Sequence, residues 1–141
     1  MAFKVELVSP EGSVFQGEAT MVLARTPEGE IAFQQGHIPF IGVLSGSGPV
    51  KIWLTDGTTM LVAVHSGFVQ VSGDAVTILS DVAELKDQVD VPRAEDARRR
   101  AEAVLAGAPH DEEARAALDR ANLRLQVATG AVATAGSAGA H

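Results

Sequence analysis

The stretch Val89-Asp90-Val91-Pro92-Arg93-Ala94-Glu95-Asp96-Ala97-Arg98-Arg99-Arg100-Ala101-Glu102-Ala103-Val104-Leu105 is where the chain changes its hydrophobic period. Within it, Ala94, Ala97, Ala101, Val104 and Leu105 recur at helical spacing. Asp90 is a candidate N-cap, and Pro92 fits helix position one, where its missing N–H loses no partner. Gly107-Ala108-Pro109 stops the segment. Asp111 then offers a second cap, followed by a stripe of Ala114, Ala117, Leu118, Ala121, Leu125 and Ala128 that ends at Gly130. These signals predict helices over 92–106 and 111–129, joined as an antiparallel hairpin whose alanine seam lets the backbones approach closely.

Upstream the period is two. Phe3, Val5 and Leu7 alternate with Lys4 and Glu6, and Ser9-Pro10-Glu11-Gly12 supplies turn chemistry. Further strand candidates are Ser13–Gln16, Ala19–Arg25, Ile31–Phe33, Ile41–Leu44, Val50–Leu54, Thr59–Val64, Phe68–Val71 and Val76–Leu79. Pro27-Glu28-Gly29, Asp56-Gly57 and Ser72-Gly73-Asp74 punctuate them. The fold class is α+β: an antiparallel β-sandwich or barrel over 1–87, a helical hairpin over 88–130, and an Ala/Gly tail over 131–141 expected to be disordered.

Composition narrows the function. The formal charge is −7 and cysteine is absent. An acidic chain lacks the basic surface that nucleic acid or anionic lipid requires. Without cysteine there is no disulfide framework, thiolate metal site or cysteine nucleophile, which fits a reducing cytoplasm. Met1 to Val8 carries Lys4 and Glu6 and has no signal-peptide pattern. Runs such as Met60 to Val64 fall far short of the ~20 residues of a membrane helix. Work at a membrane would need a partner to hold the chain there.

The sequence offers little catalytic chemistry. Gly42-Val43-Leu44-Ser45-Gly46-Ser47-Gly48-Pro49-Val50-Lys51 superficially resembles a phosphate loop, but Pro49 removes an amide and a strand, not a helix, is expected next. The four histidines, at 37, 65, 110 and 141, have no metal-type partner at ligand spacing. His37 lies in an inter-strand loop, where pinning the backbone is a better reading than acid–base work. Ser66 lacks the Gly-x-Ser-x-Gly elbow of a nucleophile. No catalytic or metal residue is assigned.

Charge patterning singles out two arginines. Glu95–Arg99, Asp96–Arg100, Arg98–Glu102, Asp111–Arg115 and Arg115–Asp119 are i,i+4 pairs that support a solvated helix. Arg120 and Arg124 are like charges at the same spacing, with no acid on either adjacent turn of that row. A solvated face and an anionic partner both remain open for them.

Four segments together resemble the epsilon subunit of the bacterial F-type ATP synthase over about residues 3–128: VSPEGSVFQGEA (Val8–Ala19), PEGEIAFQQGHIPFIGVL (Pro27–Leu44), SGFVQVSGDAVTILSDVAE (Ser66–Glu84) and VDVPRAEDARRRAEAVL (Val89–Leu105). The chain departs from the family at Gln35-Gly36-His37-Ile38-Pro39, where Pro-Gly-His-Ala-Pro is usual. Ala32 stands where a glycine is common, and Ser66 replaces the first of two glycines. The resemblance implies a flattened barrel of about ten strands beside a two-helix domain. It further implies a non-catalytic rotor subunit, peripheral on the cytoplasmic face of the cell membrane, that helps couple hydrogen ion transport to ATP synthesis. The implied partners are the gamma subunit, the ring of c subunits and the alpha/beta catalytic head, the last reached by an extended hairpin that restrains ATP hydrolysis. In some members the folded hairpin binds ATP through Ile/Leu-Asp-x-x-Arg-Ala, matched by Val89-Asp90-Val91-Pro92-Arg93-Ala94 except at the first position. Glu84, Arg100, Arg120 and Arg124 fall at positions resembling the rest of that site, which would make ATP a regulatory ligand. The alternatives are a free-standing β-sandwich interaction module, a nucleotide sensor and, weakest, a hydrolase using His37.

Overall fold

Alternating burial along the first strand sets the pattern for the N-terminal half. In β1 (Phe3–Ser9), Phe3, Val5 and Leu7 point into the core, while Lys4 is exposed and Glu6 half-buried. The computed structural model describes residues 2–36, 38–45 and 48–130. The loop histidine His37 and the tail 131–141 lie outside the described residues.

β2 runs from Gly12 to Thr26. It unites the two candidates Ser13–Gln16 and Ala19–Arg25, because Gly17, at their junction, stays in extended pairing opposite Val5. The Phe15 ring lies over Gly17, where an added Cβ would come 2.8 Å from Cζ, so the glycine makes room for the aromatic ring. Then follow β3 (Gly29–Phe33), β4 (Phe40–Leu44), β5 (Val50–Leu54), β6 (Thr59–Val64), β7 (Gly67–Ser72), β8 (Ala75–Ser80) and the short β9 (Ala83–Leu85). Among the described residues nine strands form, where the resemblance implied about ten. The ladder order is β4-β7-β8-β1-β2-β5-β6-β9, with β3 also on β2. Every pairing is antiparallel except β1 with β8, which run parallel because the chain reaches β8 by a long crossover.

The ladder wraps so that β1 through β8 all contribute to one core, including Leu7, Val22, Phe33, Ile52, Val64, Val69 and Ile78. Its far side turns back onto β2 and β3: Ser45 N donates to Arg25 O at 2.9 Å, and the Phe33 and Phe40 rings lie 5.6 Å apart. The glycine-rich segment leads into strand β5 and Gly48 is buried near the Arg25 guanidinium, while Gly46 and Ser47, at the centre of the expected turn, lie outside the described residues. Of the departures noted above, Ala32 and Ser66 are exposed and have room for a side chain. Gly67 has none, since a Cβ there would clash with the Leu79 carbonyl oxygen.

After a 3-10 turn at Lys86–Gln88 the chain enters α1 (Val91–Gly107) and then α2 (Glu112–Thr129). Asp90 Oδ1 accepts from Arg93 N at 3.1 Å and Asp111 Oδ1 from Ala114 N at 3.0 Å, each satisfying an otherwise orphaned donor. Val91 is the first helical residue and Pro92 the second. Gly130 closes α2 at φ 75°, a left-handed conformation that glycine adopts without penalty. Ala94, Ala101, Ala114 and Ala121 are the buried small residues of the hairpin. α1 packs on α2, and α2 packs on β6 and β9.

Two details differ from the sequence reading. Val104 is 46% exposed, since α1 packs chiefly on α2 through Ala94 and Ala101 and Val104 falls off that face. Leu123 and Val127, outside the expected stripe, are buried against Ala63 of β6. The second helix thus serves two faces, one toward α1 and one toward the sheet. No described helix is long and apolar enough to cross a membrane.

Candidate functional site

The 3-10 turn and the first turn of α1 bring together groups distant in sequence. A cavity of about 420 Å³ opens between β9, the start of α1 and α2, lined by Glu84, Gln88, Asp90, Arg93, Ala94, Ala97, Arg100 and Arg124. Five of the six residues singled out by sequence meet there. Arg120 does not line it and is exposed, one turn before Arg124 on α2.

Arg124 is engaged from across the domain junction. Its Nε donates to Glu84 Oε1 at 2.6 Å, with both side chains partly exposed. A charge-assisted bond of this kind contributes about 1.5–3 kcal/mol. A window along α2 shows no acid near Arg124, since its partner stands 40 residues away on a strand. Asp90 is committed to capping α1, and Arg100 lies 3.5 Å from Asp96. Among the described residues Arg93 and Arg120 enter no ion pair.

Of the five helical pairs expected, Asp96–Arg100 forms, together with Asp96–Arg99 at 3.7 Å. The other four do not close among the described residues. Asp111 is drawn to its cap, and long exposed side chains gain too little to be held in one geometry.

The sequence reading gave His65 no role. Its Nε2 lies 3.2 Å from Glu84 Oε1, and burial pushes its pKa below the ordinary imidazole value. The signal needed to find it was β9, whose pairing with β6 places Val64 opposite Ala83. Three residues with a central glutamate carry no readable period. Gln88 was missed for the same reason; its Oε1 accepts from Leu85 N at 2.8 Å and holds the turn that forms one wall of the cavity.

A second surface lies on the other half of the ladder. Val43 of β4 stands opposite Phe68 of β7, which stands opposite Leu79 of β8. All three point outward, as does Ile41; Ile41 is 70% and Phe68 53% exposed. This row edges a shallow cavity of about 490 Å³ that also includes Val8 and Pro10. An apolar row across three adjacent strands is the kind of face that a protein partner covers.

A β-sandwich continued by a helical hairpin matches the two modules of a single family. Residues 2–86 match the ATP synthase delta/epsilon chain β-sandwich domain, and residues 87–129 match the long α-helix domain of the same chain. The chain belongs to the ATP synthase delta/epsilon chain family. It is 44% identical over 126 residues to the ATP synthase epsilon chain of Streptomyces coelicolor, covering 89% of this chain and 94% of that one. Against the epsilon chain of Shouchella clausii the identity is 41% over 126 residues, with 89% and 93% covered. Epsilon chains are non-catalytic subunits of ATP synthase. A chain in the structure of Euglena gracilis mitochondrial ATP synthase, OSCP/F1/c-ring, shares the fold at TM-score 0.75 and 20% identity, over 91% of this chain and 81% of that one.

Proposed function

We propose that this chain is a central-stalk rotor subunit of a proton-translocating ATP synthase, peripheral at the cytoplasmic face of the cell membrane. Residues 1–87 dock it to the gamma subunit and the ring of c subunits. Residues 88–130 form a regulatory hairpin that extends toward the alpha/beta catalytic head and restrains ATP hydrolysis.

The observation that carries this reading is the outward row Val43–Phe68–Leu79 with Ile41. It lies on strands remote from the hairpin in the ladder, so docking and regulation use separate surfaces. Phe68→Glu tests it. An exposed position tolerates the charge in the free protein, whereas burying that charge against a partner is costly. The variant stays folded and fails to co-purify with gamma; co-purification at the wild-type level overturns the assignment.

Regulatory ATP is a second reading, favoured by the cavity that gathers Arg93, Arg100 and Arg124 beside Asp90 and Glu84. An acidic surface of the catalytic head would use Arg120 and Arg124 in the extended state instead. The Arg120→Ala, Arg124→Ala double variant separates the two. Lost restraint of hydrolysis, with no ATP binding by the parent, supports the protein contact. Lost ATP affinity supports the nucleotide site. If neither quantity moves, both assignments fail.

A further inference from the structure

His65 follows directly on β6, two residues beyond Ala63, which packs against Leu123 and Val127 of α2. Its side chain is only 7% exposed. Nε2 faces Glu84 Oε1, and that same oxygen accepts from Arg124 Nε. Nδ1 is buried and has no hydrogen-bond partner among the described residues. A neutral ring suits this setting, with Nε2–H donating to Glu84 and Nδ1 bare. An imidazolium does not. It would add a second N–H with no acceptor, and a positive charge beside two arginines.

The charged groups acting on the ring are Glu84 from β9 and Arg124 and Arg120 from α2. Glu84 alone favours the cation, and its carboxylate already balances Arg124. The cluster therefore joins sheet to hairpin best when His65 is neutral.

We propose that His65, Glu84 and Arg124 form a proton-sensitive latch that releases the hairpin from the sandwich when His65 is protonated. The proposal rests on the hairpin's ability to leave the sandwich, as inferred above. Burial, then Arg124 and Arg120, hold the His65 pKa below 6.5 in the docked state, against the opposing pull of Glu84. Undocking uncovers the ring and removes both arginines but leaves Glu84 beside it on the paired strand, so the pKa rises to about 6.5 or above. As pH falls through that value, the undocked state takes up a proton that the docked state refuses. Docking is intact above that value, weakens below it, and levels off once the docked ring also protonates. One proton limits the change to about tenfold in the docking equilibrium per pH unit.

The test is amide hydrogen exchange on the full chain at about pH 7.5 and about pH 5.5, corrected for intrinsic exchange, for wild type and His65→Gln. In the wild type, opening of α2 rises at the lower pH, by at most about tenfold, while β1, β7 and β8 stay protected. In His65→Gln the response is flat. A wild type with no pH response overturns the latch, as does an equal response in the variant. If α2 opens only together with the sandwich strands, the mobile hairpin itself fails. The imidazole titration of wild-type His65 needs no variant: a midpoint below about 6.5 supports the latch, and one at or above it overturns it.

Discussion

Apolar residues from β1 through β8 share one continuous core in the sandwich, whereas the hairpin meets the sheet through Leu123 and Val127 on Ala63, edged by Leu61 and Val89. Burying a leucine or valine side chain contributes about 1.5–3 kcal/mol. The docked hairpin is thus held by about a few such terms and one Arg–carboxylate bond. The sandwich has many times that, in a ladder where every strand depends on its neighbours. Such a contrast suits the proposed division, in which residues 1–87 dock and residues 88–130 regulate. An alanine seam adds to it, since small side chains bring α1 and α2 close while burying little area per residue.

The largest effect is expected in the sandwich core. Phe33→Ala removes a fully buried ring that also meets Phe40, and costs about 3–5 kcal/mol. Denaturant unfolding followed by Trp53 fluorescence, from the sole tryptophan, reads it as a shift of the whole transition. Leu123→Ala sharpens the contrast. It costs about 2–3 kcal/mol of docking, raising exchange of α2 amides while the Trp53 transition moves little. If the two variants shift the same transition equally, sandwich and hairpin are one cooperative unit. The smallest effect belongs to Val104→Ser, on an exposed face of α1. Thermal unfolding registers a change within about 0.5 kcal/mol.

Much of the fold was legible because each half has its own period. The alternation of Phe3, Val5 and Leu7 and the caps Asp90 and Asp111 are local signals, and local signals decide strands and helix starts. The ion pairs were less legible, since a carboxylate that caps a helix is lost to its i+4 partner. Leu123 and Val127 escaped because a helix between two surfaces has two apolar faces, and a single stripe describes only one. The cavity was partly legible: Glu84, Asp90, Arg93, Arg100 and Arg124 were grouped as a site only by family resemblance, while local signals supplied the Asp90 cap, the Asp96–Arg100 pair and the oddity of Arg124. His65 and the Glu84–Arg124 bond depend on β9, a strand too short to announce itself. Long-range pairing of that kind is set by the finished sheet.

Deleting residues 88–141 and measuring ATP synthesis and hydrolysis in native membranes tests the division of labour most directly. The truncated chain is expected to co-purify with the complex, proton-driven synthesis to stay near wild type, and hydrolysis to rise. Release of the truncated chain from the complex, or hydrolysis unchanged with the chain in place, would contradict that division.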